Sequence, residues 1–273
     1  MISIRARLMP LAGLALSIAA ALAGCKKQQV ATPPEPPGLP TLDAEHALLG
    51  KALARSVQPG GVDYGALRAD RTDLDAYRAQ LAATTIPDDP AARMALYINA
   101  YNAWTLALVI DKLPSDPASW PSWSIKDAGT LAQNVWKTFE FELAGRRYTL
   151  DALEHELLRP MGDPRIHMAI NCASKSCPAL AATPYTAAGL EAQLAAAVVA
   201  FVDDPTQLRL SGDSLAVNPI LDWFSADFAA GGGVAAFLKQ HVRTPALREH
   251  FAAGRGFSYF EYDWRLNLAF AAP

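Results

Sequence analysis

The segment DPAARMALYINAYNAWTLALVIDKL, residues 89–113, sets the strongest limit on what this chain can fold into. Asp89 is placed to cap a helix, and Pro90 to take its first position, where a missing N–H costs little. From there apolar residues run almost all round the helical wheel, leaving no face for water. That pattern belongs to a helix at the centre of a domain, with other elements packed around it. Two amides interrupt it, Asn99 and Asn102. A buried amide without partners costs about 1 to 3 kcal/mol, so each needs a fixed hydrogen-bond mate. The mates are either neighbouring loops clasped to the helix or, for Asn102, a catalytic group oriented from below.

Around this helix the pattern predicts further helices early and late, with short strands between. TLDAEHALLGKALARSV starts at Thr41 or Asp43 and puts Leu42, His46, Leu49 and Leu53 near one face; His46 reads as a half-buried filler. RTDLDAYRAQLAA is another helix. In TFEFELAGRRYTL, alternating Phe139, Phe141 and Leu143 precede a turn at Ala144-Gly145 and a return strand, a β-hairpin. Thr149 then caps LDALEHELLR, with Leu150, Leu153 and Leu157 on its apolar face, Glu154 beside them and His155 on the flank. LRLSGDSLAVNP is a second hairpin turning at Gly212-Asp213, and FSYFEYDWRLN completes a sheet near the carboxyl end. The expected fold is α+β, a helical first half packed on a central antiparallel sheet. His241 and His250 fall in surface helices, and Asp222 and Asp227 read as solvated or capping acids, with pairing to arginines or orientation of the site as the alternative.

The chain opens MISIRARLMPLAGLALSIAAALAGCKK: two arginines, an apolar run too short for a typical span, then small residues before a cysteine. Leu22-Ala23-Gly24-Cys25 resembles the bacterial lipobox, which implies cleavage before Cys25 and its acylation; a plain signal peptide or an anchor helix is the alternative. Lys26 stands where an inner-membrane retention signal favours Asp, so the expected location is the outer membrane, on its periplasmic face. Prolines at 33, 34, 36, 37 and 40 make residues 25–40 an extended tether, and residues 41–273 read as one domain. The chain carries 24 basic and 27 acidic residues, a formal charge of −3, which becomes −5 without Arg5 and Arg7. No basic run follows Lys27, which argues against nucleic acid as a partner.

Two of the three cysteines lie in HMAINCASKSCPAL, residues 167–180. Read as an apolar strand, DPRIHMAINC places Arg165, His167, Ala169 and Asn171 on one side, and Ile166, Met168, Ile170 and Cys172 on the other. That parity separates His167 from Cys172 and leaves His155 as the better partner. Cys172 enters a small, polar turn whose backbone N–H groups, with Lys175 nearby, lower a thiol pKa and bind an oxyanion. A disulfide to Cys177 is the competing reading in an oxidising compartment. A metal is not expected, since C-x4-C is an unfamiliar ligand spacing, and no cofactor is expected.

LYINAYNAWTL, YTLDALEHELLR, DPRIHMAINCASKSCPAL, PYTAAGLEAQL and VNPILDWFSADF occur in the order and approximate spacing of the domain of unknown function 547 family, which the chain resembles over roughly residues 90 to 240. The resemblance implies a fold related to papain-like and transglutaminase-like cysteine hydrolases, with the family's Cys at Cys172, its Glu-His pair at Glu154 and His155, and its Asn at Asn102. It also implies that Cys177 is dispensable, because serine often stands there. The expected activity is a thiol hydrolase or transferase acting on amide or thioester bonds of peptides or small thiol conjugates. Cys172 is then the nucleophile, His155 the general base and acid, and Asn102 or Glu154 the orienting partner; His167, Asn171, Lys175 and Tyr185 contact substrate. The alternative is a non-catalytic lipoprotein that binds a peptide or cell-wall ligand, with Cys172 and Cys177 as a structural disulfide.

Overall fold

A computed structural model describes residues 41–129 and 134–269. The leader, Cys25 and the proline-rich tether lie outside the described residues. Among those that are described, no helix is long and apolar enough to cross a membrane.

The central helix is α4, Pro90–Lys112, capped by Asp89, whose carboxylate accepts from the Ala92 N–H at 2.8 Å. Every position from Met94 to Ile110 is buried, as an all-round apolar wheel requires. Against it pack α1, Ala47–Ser56, α2, Tyr64–Ala69, and α3, Thr72–Ala83. Asp43 accepts from the N–H groups of Glu45 and Ala47 before α1, and His46 is buried with its ring on the Tyr77 hydroxyl at 2.8 Å.

Both expected hairpins are present. β3, Glu140–Leu143, pairs with β4, Arg146–Thr149, and Ala144 and Gly145 both take positive φ, 51° and 70°, as a two-residue turn of this twist demands. β5, Leu208–Ser211, pairs with β6, Ser214–Val217. The expected central antiparallel sheet is not what forms. The described strands make three small sheets: β1, Val57–Gln58, with β2, Gly61–Val62; β3 with β4; and β5 with β6, to which β7, Ser258–Tyr259, adds in parallel. No described strand exceeds four residues, and the long buried helix α4 takes the place expected of the sheet.

The expected strand through residues 165–172 is absent as well. Pro164–Met168 is a 3₁₀ turn, with Asp163 accepting from the Arg165 N–H at 3.0 Å. An acidic cap followed by proline at the first position favours a helical start over a strand. The apolar residues that imitate a strand instead divide between two cores. Ile166, Ala169 and Ile170 pack with α1 to α4, whereas Met168 joins the second cluster. That second cluster is built on α5, Leu190–Val202, β5 and β6, α6, Ile220–Trp223, α7, Gly233–His241, and α8, Pro245–Ala252. His250, expected on a surface, is buried there with Nε2 at 2.8 Å from the Gly256 carbonyl.

The residues after β7 form a strap. Ser124 bridges to Arg265, Ser174 to Leu266 and Val62 to Leu268, so one stretch joins three distant segments. It runs so close to β2 that a Cβ on Gly61 would meet the Asn267 carbonyl oxygen at 2.2 Å; only glycine fits that approach.

Candidate active site

Asn99 and Asn102 lie three residues apart on one face of α4, and each clasps a loop through both ends of its amide. Asn99 donates to the Tyr185 carbonyl at 2.7 Å and accepts from the Tyr185 N–H at 2.9 Å. Asn102 donates to the Ala169 carbonyl at 3.0 Å and accepts from the Asn171 N–H at 2.8 Å. Asn102 therefore fixes the backbone leading into Cys172 and does not touch the sulfur. Asn171 continues the scaffold: it is buried, donates to the Pro178 carbonyl at 2.7 Å and accepts from the Ala173 N–H at 2.8 Å. That last bond holds Ala173 at φ 62°, the left-handed region that L side chains seldom adopt.

Cys172 is half-buried on the wall of a cavity of about 360 Å³. The Ser174 and Tyr262 hydroxyls stand 3.1 and 3.3 Å from its sulfur, and Ser174 donates to the Tyr262 oxygen at 2.8 Å. Both cysteines are free thiols, and the Cys172 N–H donates to the Cys177 sulfur at 2.9 Å. The hydrogen bond from Cys177, then those from Ser174 and Tyr262, hold the Cys172 thiol below the ordinary range against the opposing effect of burial. Burial pushes Cys177 the other way. The expected oxyanion donors are partly spent: the N–H groups of Cys172 and Ala173 bond Cys177 and Asn171.

Glu154 and His155 come from the helix capped by Thr149, whose hydroxyl accepts from the Ala152 N–H at 3.1 Å. After Leu150–Ala152 this helix widens into a π turn, Leu153–Leu158, a distortion frequent at functional sites. Both residues line the cavity. Glu154 is buried, and its carboxyl is raised to about 7, by desolvation first and by the Cys172 charge second. His155 is directed elsewhere: its Nδ1 accepts from the Arg159 guanidinium at 2.8 Å and its Nε2 lies 3.7 Å from Asp151. Burial lowers its pKa, so the ring is neutral. Of the Glu154–His155 pair, it is Glu154 whose carboxyl feels the Cys172 charge, while the influences on the His155 ring come from burial and from Asp151, Arg159, Lys137 and Asp227.

His167 lines the same cavity as Cys172, which the strand reading had denied. It is fully buried, stacked on Phe224 at 4.0 Å, with Nε2 at 2.8 Å from Asp227, and burial lowers it to about 4. Asp227 is thus no solvated acid, because Arg159 also grips it with two bonds of 2.7 Å. Lys175 and Tyr185 do not reach this cavity. Lys175 lines a separate, polar groove on the other side of the cysteine loop, together with Asn171. Tyr185 is buried, held through its backbone by Asn99.

The cavity has members that local sequence signals do not announce. Tyr262 and Trp264 arrive on the strap, Lys126 from the 3₁₀ turn Ile125–Ala128, and Trp223 from the end of α6. Trp223 and Trp264 stack 5.6 Å apart and nearly parallel, and the Lys126 ammonium lies 3.6 Å from the Trp264 ring centre. Trp223 stays 48% exposed, an aromatic rim rather than core. The one available hint was the aromatic spacing in YFEYDW, which reads equally well as a sheet face. Among the described residues no group of His, Cys, Asp and Glu could hold a metal ion.

Residues 89–202 match the family model described as Protein of unknown function, DUF547. The DUF547-like segment therefore includes the clasping asparagines, the π turn and both cysteines, but ends before Asp227, Tyr262 and Trp264. No curated protein and no solved structure matches the chain.

Proposed function

We propose that this chain is a thiol hydrolase or transferase acting on amide or thioester bonds of peptides or small thiol conjugates, in the manner of papain-like and transglutaminase-like enzymes. The observation that carries this reading is the Cys172 sulfur on the cavity wall, flanked by the Ser174 and Tyr262 hydroxyls and in electrostatic reach of Glu154. A thiol held below its usual pKa offers more nucleophile at neutral pH. A carboxyl near 7 has the affinity that general acid–base work at neutral pH favours.

The Cys172 thiolate adds to the carbonyl carbon of the acyl donor, with the Tyr262 hydroxyl nearest the developing oxyanion. The bond from that carbon to the amide nitrogen or thioester sulfur breaks, and the leaving group takes the proton of Glu154. Water, or a second nucleophile in a transfer, then attacks the acyl-cysteine and returns a proton to Glu154, releasing the acyl product and the thiolate. Glu154 takes the acid–base role that the sequence assigned to His155. The Asp227, Arg159 and His167 linkage braces the opposite wall. The lipobox-like leader and the tether support an anchored enzyme on the periplasmic face of the outer membrane.

The test is an acyl-enzyme burst. With p-nitrophenyl acetate, one equivalent of p-nitrophenolate per chain should appear ahead of the steady state and vanish in Cys172→Ala. Absence of the burst, or its persistence in that variant, would refute the nucleophile.

A further inference from the structure

Of the described residues lining the thiol cavity, Lys126 is the sole lysine or arginine. The acids facing it are accounted for. Asp151 has the Lys137 ammonium at 3.9 Å and the His155 ring at 3.7 Å, and Glu154 holds its proton up to about pH 7. The two histidines are neutral at that pH. Lys126 itself has its ammonium over the Trp264 ring, a neutral partner that fixes its position without removing its charge. Its surroundings explain why it stays in place. Ser124 and Asp127 close a capping box at the start of its turn, and Ser124 is bridged to Arg265 of the strap. Burial lowers the pKa of the Lys126 ammonium and the Cys172 charge opposes that effect; the cation and the sulfur line the same cavity.

We propose that Lys126 is the anchor for a substrate carboxylate, so that the thiol acts on acyl donors bearing a carboxylate close to the reacting carbonyl. The proposal rests on Cys172 being the nucleophile. An anion entering the cavity meets a positioned, incompletely neutralised ammonium against a largely apolar, aromatic wall, where the attraction is stronger than in open water. Flexible surface lysines lack that setting.

Two alkylating reagents of nearly equal size separate this from the broader reading: iodoacetate carries the carboxylate, and iodoacetamide does not. Relative to a free thiol such as glutathione in the same buffer, the full chain should favour iodoacetate over iodoacetamide by roughly tenfold. Lys126→Met keeps the apolar stem over Trp264 and should abolish the preference, while Lys126→Arg should retain it. The ratio of the two rates cancels any change in thiolate fraction, which slows both reagents alike. A ratio equal to that of the free thiol, or one unchanged in Lys126→Met, overturns the anchor and leaves the thiol hydrolase standing. A Cys172 that reacts with neither reagent faster than a free thiol overturns both.

Discussion

The Tyr262 hydroxyl stands 3.3 Å from the Cys172 sulfur, across 90 positions of sequence. It is brought there by the strap, which also supplies Trp264 and, through Asn267, a hydrogen bond to Asn171 at 3.3 Å. Tyr262→Phe keeps the ring and removes the hydroxyl, so the thiolate loses one charged hydrogen bond, a contribution of about 1.5 kcal/mol or more. The iodoacetamide rate at pH 6 should fall roughly tenfold while the limiting rate at high pH changes little. An unchanged rate at pH 6 would remove Tyr262 from the thiol's environment.

The two asparagine clasps separate stability from reactivity. Either Asn99→Ala or Asn102→Ala leaves a buried N–H and a buried carbonyl without partners, which should cost about 2 to 4 kcal/mol in urea denaturation. Only Asn102 grips the backbone next to Cys172. Asn102→Ala should therefore also slow thiol alkylation in the folded protein, whereas Asn99→Ala should leave it unaltered.

Glu154 and His167 give opposite pH dependences. The Glu154 carboxyl is raised from 4.5 to about 7 in the fold, so its contribution is complete below pH 4.5 and is lost as pH rises to about 7. His167 is lowered from 6.5 to about 4, so its contribution is complete above pH 6.5 and is lost as pH falls to about 4. The two oppose each other between about pH 4.5 and 6.5. Their contributions should nearly cancel across that window, and Glu154→Gln should steepen the rise of stability with pH there by about 3 kcal/mol relative to wild type. Urea denaturation at half-unit steps reads this directly; a flat profile in Glu154→Gln would contradict the burial argument for His167.

Trp223 is exposed on the rim of the cavity, so Trp223→Ala should change the unfolding free energy measured in urea by less than about 0.5 kcal/mol. If it supports the bound substrate, KM for an aromatic ester should rise about tenfold with kcat little altered, the mark of lost ground-state binding. An equal fall in kcat and kcat/KM would instead assign Trp223 to the reacting centre.

What was legible in the sequence was what local periodicity encodes. The all-round apolar wheel placed α4, the Asp89-Pro90 and Thr149 caps placed two helix starts, and the Ala144-Gly145 and Gly212-Asp213 pairs placed both hairpins. Residues 165–172 misled because their alternation arises from packing against two cores, and that is invisible without knowing there are two. Cys172, Glu154 and His155 were legible as candidates, but their pairing was not. Whether His155 or Glu154 faces the sulfur depends on the π turn and on Arg159, four residues beyond His155. Asp227, Lys126, Tyr262 and Trp264 come from elements far apart in the chain, and no spacing rule relates them.

Tyr262 reaches the Cys172 thiol only through the strap, and Ser124, at the start of the Lys126 turn, is bridged to that same strap, so the surroundings of the sulfur are completed from about 90 positions further along the chain. Until residues 258–268 have paired with the Ser124, Ser174 and Val62 segments, Cys172 lacks the Tyr262 hydroxyl and an anchored neighbouring cation. The setting of the thiol is thus a property of the assembled tertiary structure and not of the segment that carries Cys172.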